Sequence, residues 1–212
     1  MIRGRLILYD DPVLYWLGMA ANREVEIKFA ISSLPALVRK LKSNGFKLVT
    51  RRTHELNTLY DLPGQPLRAR GSVLRLRQYG AKWTLTYKDK GRVGRHKTRR
   101  EIETVVENGP AMDGILCSLG FRPSFRYEKF RSEWTDGQGH VVLDETPIGN
   151  FGEIEGPGRW IDAVAKKLGI SRAQYVTSSY VELFQQWKRE TGSRAANMLF
   201  SAVKPARKAK QR

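Results

Sequence analysis

The stretch Glu24-Val25-Glu26-Ile27-Lys28 decides the fold of this protein. In a β-strand, alternate residues lie on the same face of the sheet. The two glutamates and the lysine therefore share one face, and Val25 and Ile27 lie on the other. The stretch predicts a strand with one charged face and one apolar face.

The same alternation recurs along the chain. Every second residue is charged in the segments Arg75 to Arg77, Arg99 to Glu103, Lys129 to Arg131 and Glu153 to Glu155, although Arg100 also adds a charge to the opposite face. In the segment Lys82 to Lys88, one face holds Lys82, Thr84, Thr86 and Lys88. For any one strand, a charged face exposed to water is the ordinary interpretation. As a set, however, these faces hold almost exclusively clusters of Glu and clusters of Arg and Lys. We therefore favour charged faces that meet one another inside a closed sheet.

Four amphipathic helices are predicted, at about residues 34–43, 110–119, 160–168 and 179–188. These helices would cover the apolar faces of the strands from outside and leave the charged faces turned inwards. We predict an α+β fold in which a closed eight-stranded antiparallel β-barrel forms a tunnel with a polar, charged interior and flanking helices. Such an interior is stable only if its charges are paired or bound by a ligand.

The pattern of strands and helices divides the chain into three parts. Residues 1–21 are predicted to be an N-terminal extension, residues 22–191 the folded domain and residues 192–212 a basic, disordered tail. Met19 is an alternative start of the chain. The single cysteine, Cys117, and an interrupted apolar stretch at the N-terminus favour a cytoplasmic location.

A formal net charge of +17, from 38 Lys and Arg against 21 Asp and Glu, indicates a polyanionic partner. The last nine residues carry five basic groups and no acid, which explains part of the excess. A nucleic-acid-binding domain is disfavoured because acids alternate with the basic groups and would repel a phosphate backbone. The segment Gly91 to Thr98 lacks the Gly-Lys-Thr order of a phosphate-binding loop, which excludes that class of nucleotidase.

A charged interior of this kind fits a guest that carries both signs of charge. A polyphosphate would meet the Arg and Lys side chains, and hard cations would meet the carboxylates. Ligands that are all carboxylates favour Mg²⁺ or Mn²⁺ over zinc. His54, His96 and His140 have no spacing that predicts a soft-metal site.

These motifs together resemble the CYTH superfamily, whose members are also called triphosphate tunnel metalloenzymes. The resemblance begins with Glu-x-Glu-x-Lys at 24–28 and continues in chain order over roughly residues 22–190. Its motifs are Val73–Arg77, Thr86–Lys88, Arg99-x-Glu101-x-Glu103, Glu128–Arg131, Val142–Asp144, Gly149–Glu155 and Ser179–Tyr180. The segment Pro123–Ser132 is most similar to the class IV adenylyl cyclase branch.

The resemblance implies roles for individual residues of this chain. The implied metal ligands are Glu24, Glu26, Glu101, Glu103, Asp144, Glu153 and Glu155. The residues implied to bind the triphosphate are Lys28, Arg75, Arg77, Lys88, Arg99, Lys129 and Arg131, of which Lys28, Arg75, Lys88, Lys129 and Arg131 are also candidate catalytic residues. Arg99 is expected near a mouth of the tunnel.

The implied activity is the processing of a small triphosphate with Mg²⁺ or Mn²⁺. The first reaction that we expect is the conversion of ATP to cyclic AMP and pyrophosphate. The alternative is hydrolysis of thiamine triphosphate or inorganic tripolyphosphate, and an alternative of another class is a non-catalytic module that binds polyphosphate or nucleic acid. A cyclase also needs a pocket for the base, for which Phe151, Tyr60 and Trp83 are candidates. A homodimer is a further expectation.

Overall fold

The structure is a computed structural model that describes residues 22–203. The predicted N-terminal extension, the alternative start at Met19 and the last nine residues lie outside this range. None of the described helices is long and apolar enough to cross a membrane.

The strands form one antiparallel sheet that closes on itself. They are β1 (Asn22–Ala30), β2 (Lys47–Asp61), β3 (Val73–Tyr79), β4 (Lys82–Lys88), β5 (Arg92–Val93), β6 (Lys97–Val106), β7 (Arg122–Thr135), β8 (His140–Thr146) and β9 (Gly149–Glu155). Their order is β1-β9-β8-β7-β2-β3-β4-β6, and β6 pairs back with β1, while the two-residue β5 pairs with β6. The predicted closed eight-stranded barrel is thereby confirmed.

Five α-helices flank the barrel within residues 22–203. They are α1 (Leu34–Ser43), α2 (Pro66–Ala69), α3 (Gly109–Ser118), α4 (Gly158–Leu168) and α5 (Tyr180–Thr191), with a 3₁₀ turn at Arg172–Gln174. Side chains cap three of them, because Ser33, Asn108 and Ser179 accept a backbone N–H in the first turn. Helix α2 is not in the prediction. Its first turn is held by the Asp61 carboxylate, which accepts the N–H groups of Leu67 and Arg68.

The barrel is apolar outside and charged inside, as the alternation in β1 predicts. Ile27 and Phe29 point outwards into a core that includes Leu41 of α1 and Ile161 and Val164 of α4. The charged residues of β1 point the other way, and Glu26 and Lys28 are only 6% and 4% exposed. The helices thus supply the apolar cover that lets the charged faces meet inside.

Strand β2 is longer than the sequence indicates. The sequence pattern predicts two strands here, residues 46–50 and 54–60, whereas the structure has one strand from Lys47 to Asp61. The pairing of β2 with β7 shifts register between Leu48 and Thr50 and again between Thr50 and Thr53. At these irregularities the alternation of inward and outward side chains is interrupted along one continuous strand. The sequence pattern alone therefore predicts two strands.

The packed chain continues beyond α5, although the predicted tail begins at residue 192. Met198 forms a parallel bridge with Tyr127 of β7, and the N–H of Glu128 donates to the Met198 carbonyl over 3.0 Å. Met198 and Val203 are buried in the same apolar cluster as Phe184. The segment therefore covers part of the β7 edge that lies beyond the pairing with β8.

A buried ion-pair network joins the inward faces of β2 and β7. The Glu55 carboxylate, fully buried, faces Lys129 Nζ at 3.4 Å and Arg131 Nε at 3.7 Å. Burial alone would raise the pKa of Glu55, but Lys129 and Arg131 outweigh it and lower the pKa to about 2. Glu55 is therefore an anion whose removal would leave two buried cations short of a counter-charge.

We expect Glu55→Gln to lower the free energy of unfolding by about 3 kcal/mol at neutral pH, since it breaks a buried ionic contact. The folded-state pKa of Glu55 lies below the ordinary value of 4.5, so its contribution is complete above pH 4.5 and is lost as the pH falls towards 2. The variant should therefore lose less stability than the wild type on acidification. Urea unfolding across this range measures both effects.

The control is Glu145→Gln, which changes an ion pair with Arg52 whose side chains are 34% and 53% exposed. An exposed pair contributes only about 0–1 kcal/mol, so this variant should unfold like the wild type. Equal losses of unfolding free energy in the two variants would contradict the stabilising role of the buried Glu55 carboxylate.

A second test concerns the close contact of β9 with β1. A Cβ on Gly152 would lie 2.2 Å from Cζ of Phe29, so we expect Gly152→Ala to cost about 1–3 kcal/mol of stability through overpacking. Gly114→Ala in α3 is the matched control, because no atom lies within 4 Å of the added carbon. The control should be neutral or slightly stabilising, and thermal unfolding of the two variants checks the difference.

Candidate functional site

The barrel encloses a cavity of about 750 Å³. Every residue that the sequence predicts to bind metal or triphosphate lies in its lining except Asp144. The strands bring these side chains together because each contributes its inward face. The roles of the individual residues stay predictions, but their convergence on one cavity is a fact of the structure.

Three carboxylates converge in this cavity. Glu24 and Glu26 lie on one face of β1, and Glu155 lies opposite Glu26 on β9. One carboxylate oxygen from each lies within 4.8 Å of the other two. Carboxylate oxygens are the ligands that Mg²⁺ and Mn²⁺ prefer, so this donor set fits a hard divalent cation.

The three acids do not have equivalent surroundings. Burial raises the pKa of Glu155 to about 8, and the Glu153 carboxylate adds to this effect. The pKa of Glu24 is lowered to about 2, because Lys88 and Arg99 outweigh its burial. Glu155 forms no ion pair with any basic side chain of the described residues, so a bound cation would supply its counter-charge.

Basic residues surround Glu24. Lys88 Nζ lies 2.9 Å from Glu24 and 2.6 Å from Glu101, and Arg99 Nε donates to Glu24 over 3.2 Å. Lys97 Nζ lies 3.7 Å from Glu26. The pairing of β1 with β6 places Glu24 and Glu26 opposite Arg99 and Lys97, and the pairing of β4 with β6 places Lys88 opposite Glu101.

A second group of contacts joins β3, β4 and β6. Arg77 Nη2 donates to both oxygens of Glu103 over 3.1 and 3.2 Å. Arg75 Nη2 lies 3.5 Å from Glu103 and 3.9 Å from Glu101. The Nε atom of Arg75 is buried without a hydrogen-bond partner among the described residues. Arg75 thus lines the cavity with its Nη2 beside two carboxylates.

The most deeply buried group joins β1, β7, β8 and β9. Lys28 Nζ lies 2.6 Å from Glu153, and Arg131 lies 2.5 Å from the other oxygen of the same carboxylate. Burial by itself lowers the pKa of Lys28, but Glu153 and Glu26 outweigh it and raise the pKa above its ordinary value. Lys28 thus remains a cation inside the barrel.

Asp144 lies behind this group, outside the cavity lining. Its carboxylate accepts hydrogen bonds from Lys129 at 2.8 Å, from Arg131 at 2.7 Å through each of two nitrogens, and from Tyr180 at 2.6 Å. It is fully buried. In this arrangement Asp144 aligns two basic side chains, and its predicted role as a metal ligand stays a prediction.

The sequence interpretation missed several residues at the site. Lys97 shares the inward face of Arg99 and Glu101, so the same alternation would have found it. Glu55 is the one charged residue on its face of β2 between residues 53 and 59, so no alternation of charged residues marks it. Tyr180 belongs to a motif of the resemblance but had no role assigned. The three candidate base-pocket aromatics, Phe151, Tyr60 and Trp83, are outside the lining.

Two curated relatives cover nearly the same part of the chain. A protein from Methanocaldococcus jannaschii, named as a candidate adenylate cyclase, is 28% identical over 171 residues, which are 76% of this chain and 97% of the relative. The adenylate cyclase CyaB of Aeromonas hydrophila is 26% identical over 174 residues, which are 77% of this chain and 89% of the relative.

Solved structures share the fold at lower identity. A candidate adenylate cyclase from Vibrio parahaemolyticus has a TM-score of 0.68 at 21% identity and covers 78% of this chain and 99% of its own. A Hippeastrum candidate adenylyl cyclase described as having a dominant triphosphatase activity has a TM-score of 0.59 at 18% identity, covering 77% of this chain and 95% of its own.

The inward-facing charges, the closed barrel and the named relatives agree with one domain family. Residues 22–180 match the CYTH domain. The chain belongs to the CYTH family.

Proposed function

We propose that this protein is a divalent-metal-dependent enzyme that processes a triphosphate inside the barrel, with ATP converted to cyclic AMP and pyrophosphate as its reaction. The observation that carries the proposal is that one cavity is lined by both positively and negatively charged side chains. Three carboxylates converge within 4.8 Å beside a set of Lys and Arg side chains that line the same space. A triphosphate with its cation carries the complementary charges.

The carboxylates would hold the cation. Glu24, Glu26 and Glu155 are the first candidates because their oxygens already converge. Glu101, Glu103 and Glu153 remain candidate ligands; each is paired with a basic side chain, as Glu24 and Glu26 also are. Bound Mg²⁺ or Mn²⁺ would supply charge neutralisation and Lewis acidity at the phosphate oxygens.

The basic residues would bind and orient the phosphates. Lys28, Arg75, Lys88, Lys129 and Arg131 are 2% to 9% exposed, so a phosphate that reaches them is largely shielded from water. Arg77 and Arg99 are more exposed members of the same lining. Positively charged donors fixed in a dry site stabilise charge that develops on phosphate oxygens during transfer.

For cyclisation, the ribose 3′-oxygen forms a bond to the α-phosphorus, the bond from that phosphorus to the pyrophosphate oxygen breaks, and the hydroxyl proton is lost. A nucleotide also brings a base with flat aromatic faces into the cavity. Leu59, Val73, Tyr127 and Val181 supply an apolar part of the lining, which supports a nucleoside triphosphate as substrate. The names of the curated relatives agree with this reaction.

Hydrolysis of thiamine triphosphate or tripolyphosphate is the second candidate, in which water attacks the terminal phosphorus. The Hippeastrum protein has the same fold and is described as having a dominant triphosphatase activity, which supports hydrolysis as a candidate reaction. Binding without turnover would identify the chain as a polyphosphate- or nucleic-acid-binding module. A cytoplasmic location and a homodimer stay predictions.

The reaction is tested by incubating the purified protein with Mg²⁺ or Mn²⁺ and ATP, tripolyphosphate or thiamine triphosphate, and identifying the products. We expect cyclic AMP and pyrophosphate from ATP, and no product once EDTA has removed the cation. Release of orthophosphate without cyclic AMP would contradict the cyclase reaction and would identify the protein as a triphosphatase. Turnover that survives EDTA would contradict metal dependence.

The cation site is tested by Glu24→Gln, Glu26→Gln and Glu155→Gln. Each substitution keeps the shape of the side chain and replaces a carboxyl group, which can bind the cation as an anion, by a neutral amide, so we expect turnover to fall by at least about 100-fold. Manganese affinity, measured by electron paramagnetic resonance, should fall with it. The matched control is Glu145→Gln, on the outer face of β8, which should leave both quantities unchanged. Wild-type manganese binding in all three variants would refute this site.

A further inference from the structure

Tyr180 lies where the helical cover meets the charged interior. It is the first residue of α5, and its N-terminal neighbour Ser179 forms a capping box with Glu182. The Tyr180 side chain is 7% exposed and lines the cavity. The cap fixes the start of the helix, so the ring enters the barrel at a defined position.

Two lysines of the cavity lie over the Tyr180 ring. Nζ of Lys28 and Nζ of Lys129 are each 4.8 Å from the ring centroid. These lysines come from β1 and β7, which are not neighbours in the barrel. The negative face of an aromatic ring attracts ammonium groups within about 6 Å of its centroid. One ring therefore draws together two like charges that would otherwise repel each other.

The ring itself is held from several sides. Its hydroxyl donates to Asp144 Oδ2 over 2.6 Å, and burial raises the pKa of that hydroxyl well above its ordinary value, so it stays a donor. Tyr127 and Phe151 pack against the ring with centroids 5.8 Å away. Just before α5, the N–H of Val176 donates to the carbonyl of Lys28 over 2.7 Å.

We infer that Tyr180 is a positioning residue that holds Lys28 and Lys129 in the arrangement that receives a triphosphate. The inference rests on the proposed function. The hydroxyl is already committed to Asp144, so the ring acts on the two lysines and does not bind phosphate through its oxygen. Without the ring, each ammonium group is held only by its carboxylate partners, such as Glu153 for Lys28 and Asp144 for Lys129, and nothing fixes the two lysines relative to each other.

The test compares Tyr180→Phe with Tyr180→Leu in the full-length protein, with Mg²⁺ present. The phenylalanine keeps the ring and the leucine removes it. We expect Tyr180→Leu to weaken the binding of inorganic tripolyphosphate, measured by calorimetry, by about tenfold, as the loss of two such contacts implies. KM for the substrate should rise by a similar factor with a smaller change in kcat. Tyr180→Phe should restore affinity to within about twofold of the wild type.

The matched control is Phe184→Leu, one turn along the same helix. Phe184 is fully buried, and its ring packs on Phe125 and Trp187. We expect this variant to lose thermal stability as Tyr180→Leu does while keeping the affinity for tripolyphosphate. Equal losses of affinity in the two leucine variants would mean that Tyr180 has only a structural role and would overturn the inference.

An NMR measurement separates the failure of this inference from the failure of the proposed function. The ring should shift the Hε resonances of Lys28 and Lys129 upfield in the wild type and in Tyr180→Phe, and the shift should vanish in Tyr180→Leu. A wild-type protein that binds neither tripolyphosphate nor ATP would refute the proposed function, while these resonances still report the contact. Unchanged lysine resonances in Tyr180→Leu, or loss of affinity in Tyr180→Phe equal to that in Tyr180→Leu, would refute the role of the ring.

Discussion

The pairing of opposite charges inside the barrel is the constraint on which the rest of the structure depends. Moving a charged side chain out of water costs several kcal/mol, so an interior of lysines, arginines and carboxylates is stable only when its members neutralise one another. The network at Asp144, Glu153 and Glu55 does this for Lys28, Lys129 and Arg131. The main apolar core therefore lies between the outer face of the barrel and the helices, because the apolar side chains of the strands point outwards.

The strand-parity argument predicted the arrangement of the barrel because it rests on a period that every strand obeys. Glu24, Glu26 and Lys28 of β1 need only this period to share a face, and pairing with β6 and β9 then brings their partners opposite them. Most of the candidate site follows in the same way. Its chemistry could be proposed from the sequence because most of the residues that line the cavity are ionisable.

Other features could not be predicted because they depend on contacts between distant segments. Glu55 looks like a surface residue of β2 until β7 brings Lys129 and Arg131 against it. Asp144 looks like a ligand by its motif, whereas three side chains already occupy its oxygens. The contact of Tyr180 with the lysines requires the chain to pass from α4 through the 3₁₀ turn to the end of the barrel. No local pattern encodes that path.

Burial divides the interior into a fixed part and an accessible part. Glu55 and Asp144 are fully buried and lie outside the cavity lining, so their contacts with Lys129 and Arg131 belong to the stability of the fold. Glu24 and Glu103, whose side chains are 19% and 33% exposed, are paired with basic residues but can be reached from the cavity. We therefore expect a ligand that enters to exchange ion pairs of the accessible part while the fixed part keeps the strands in place. This division explains how a barrel full of charge remains folded and still has charges free to exchange with a guest.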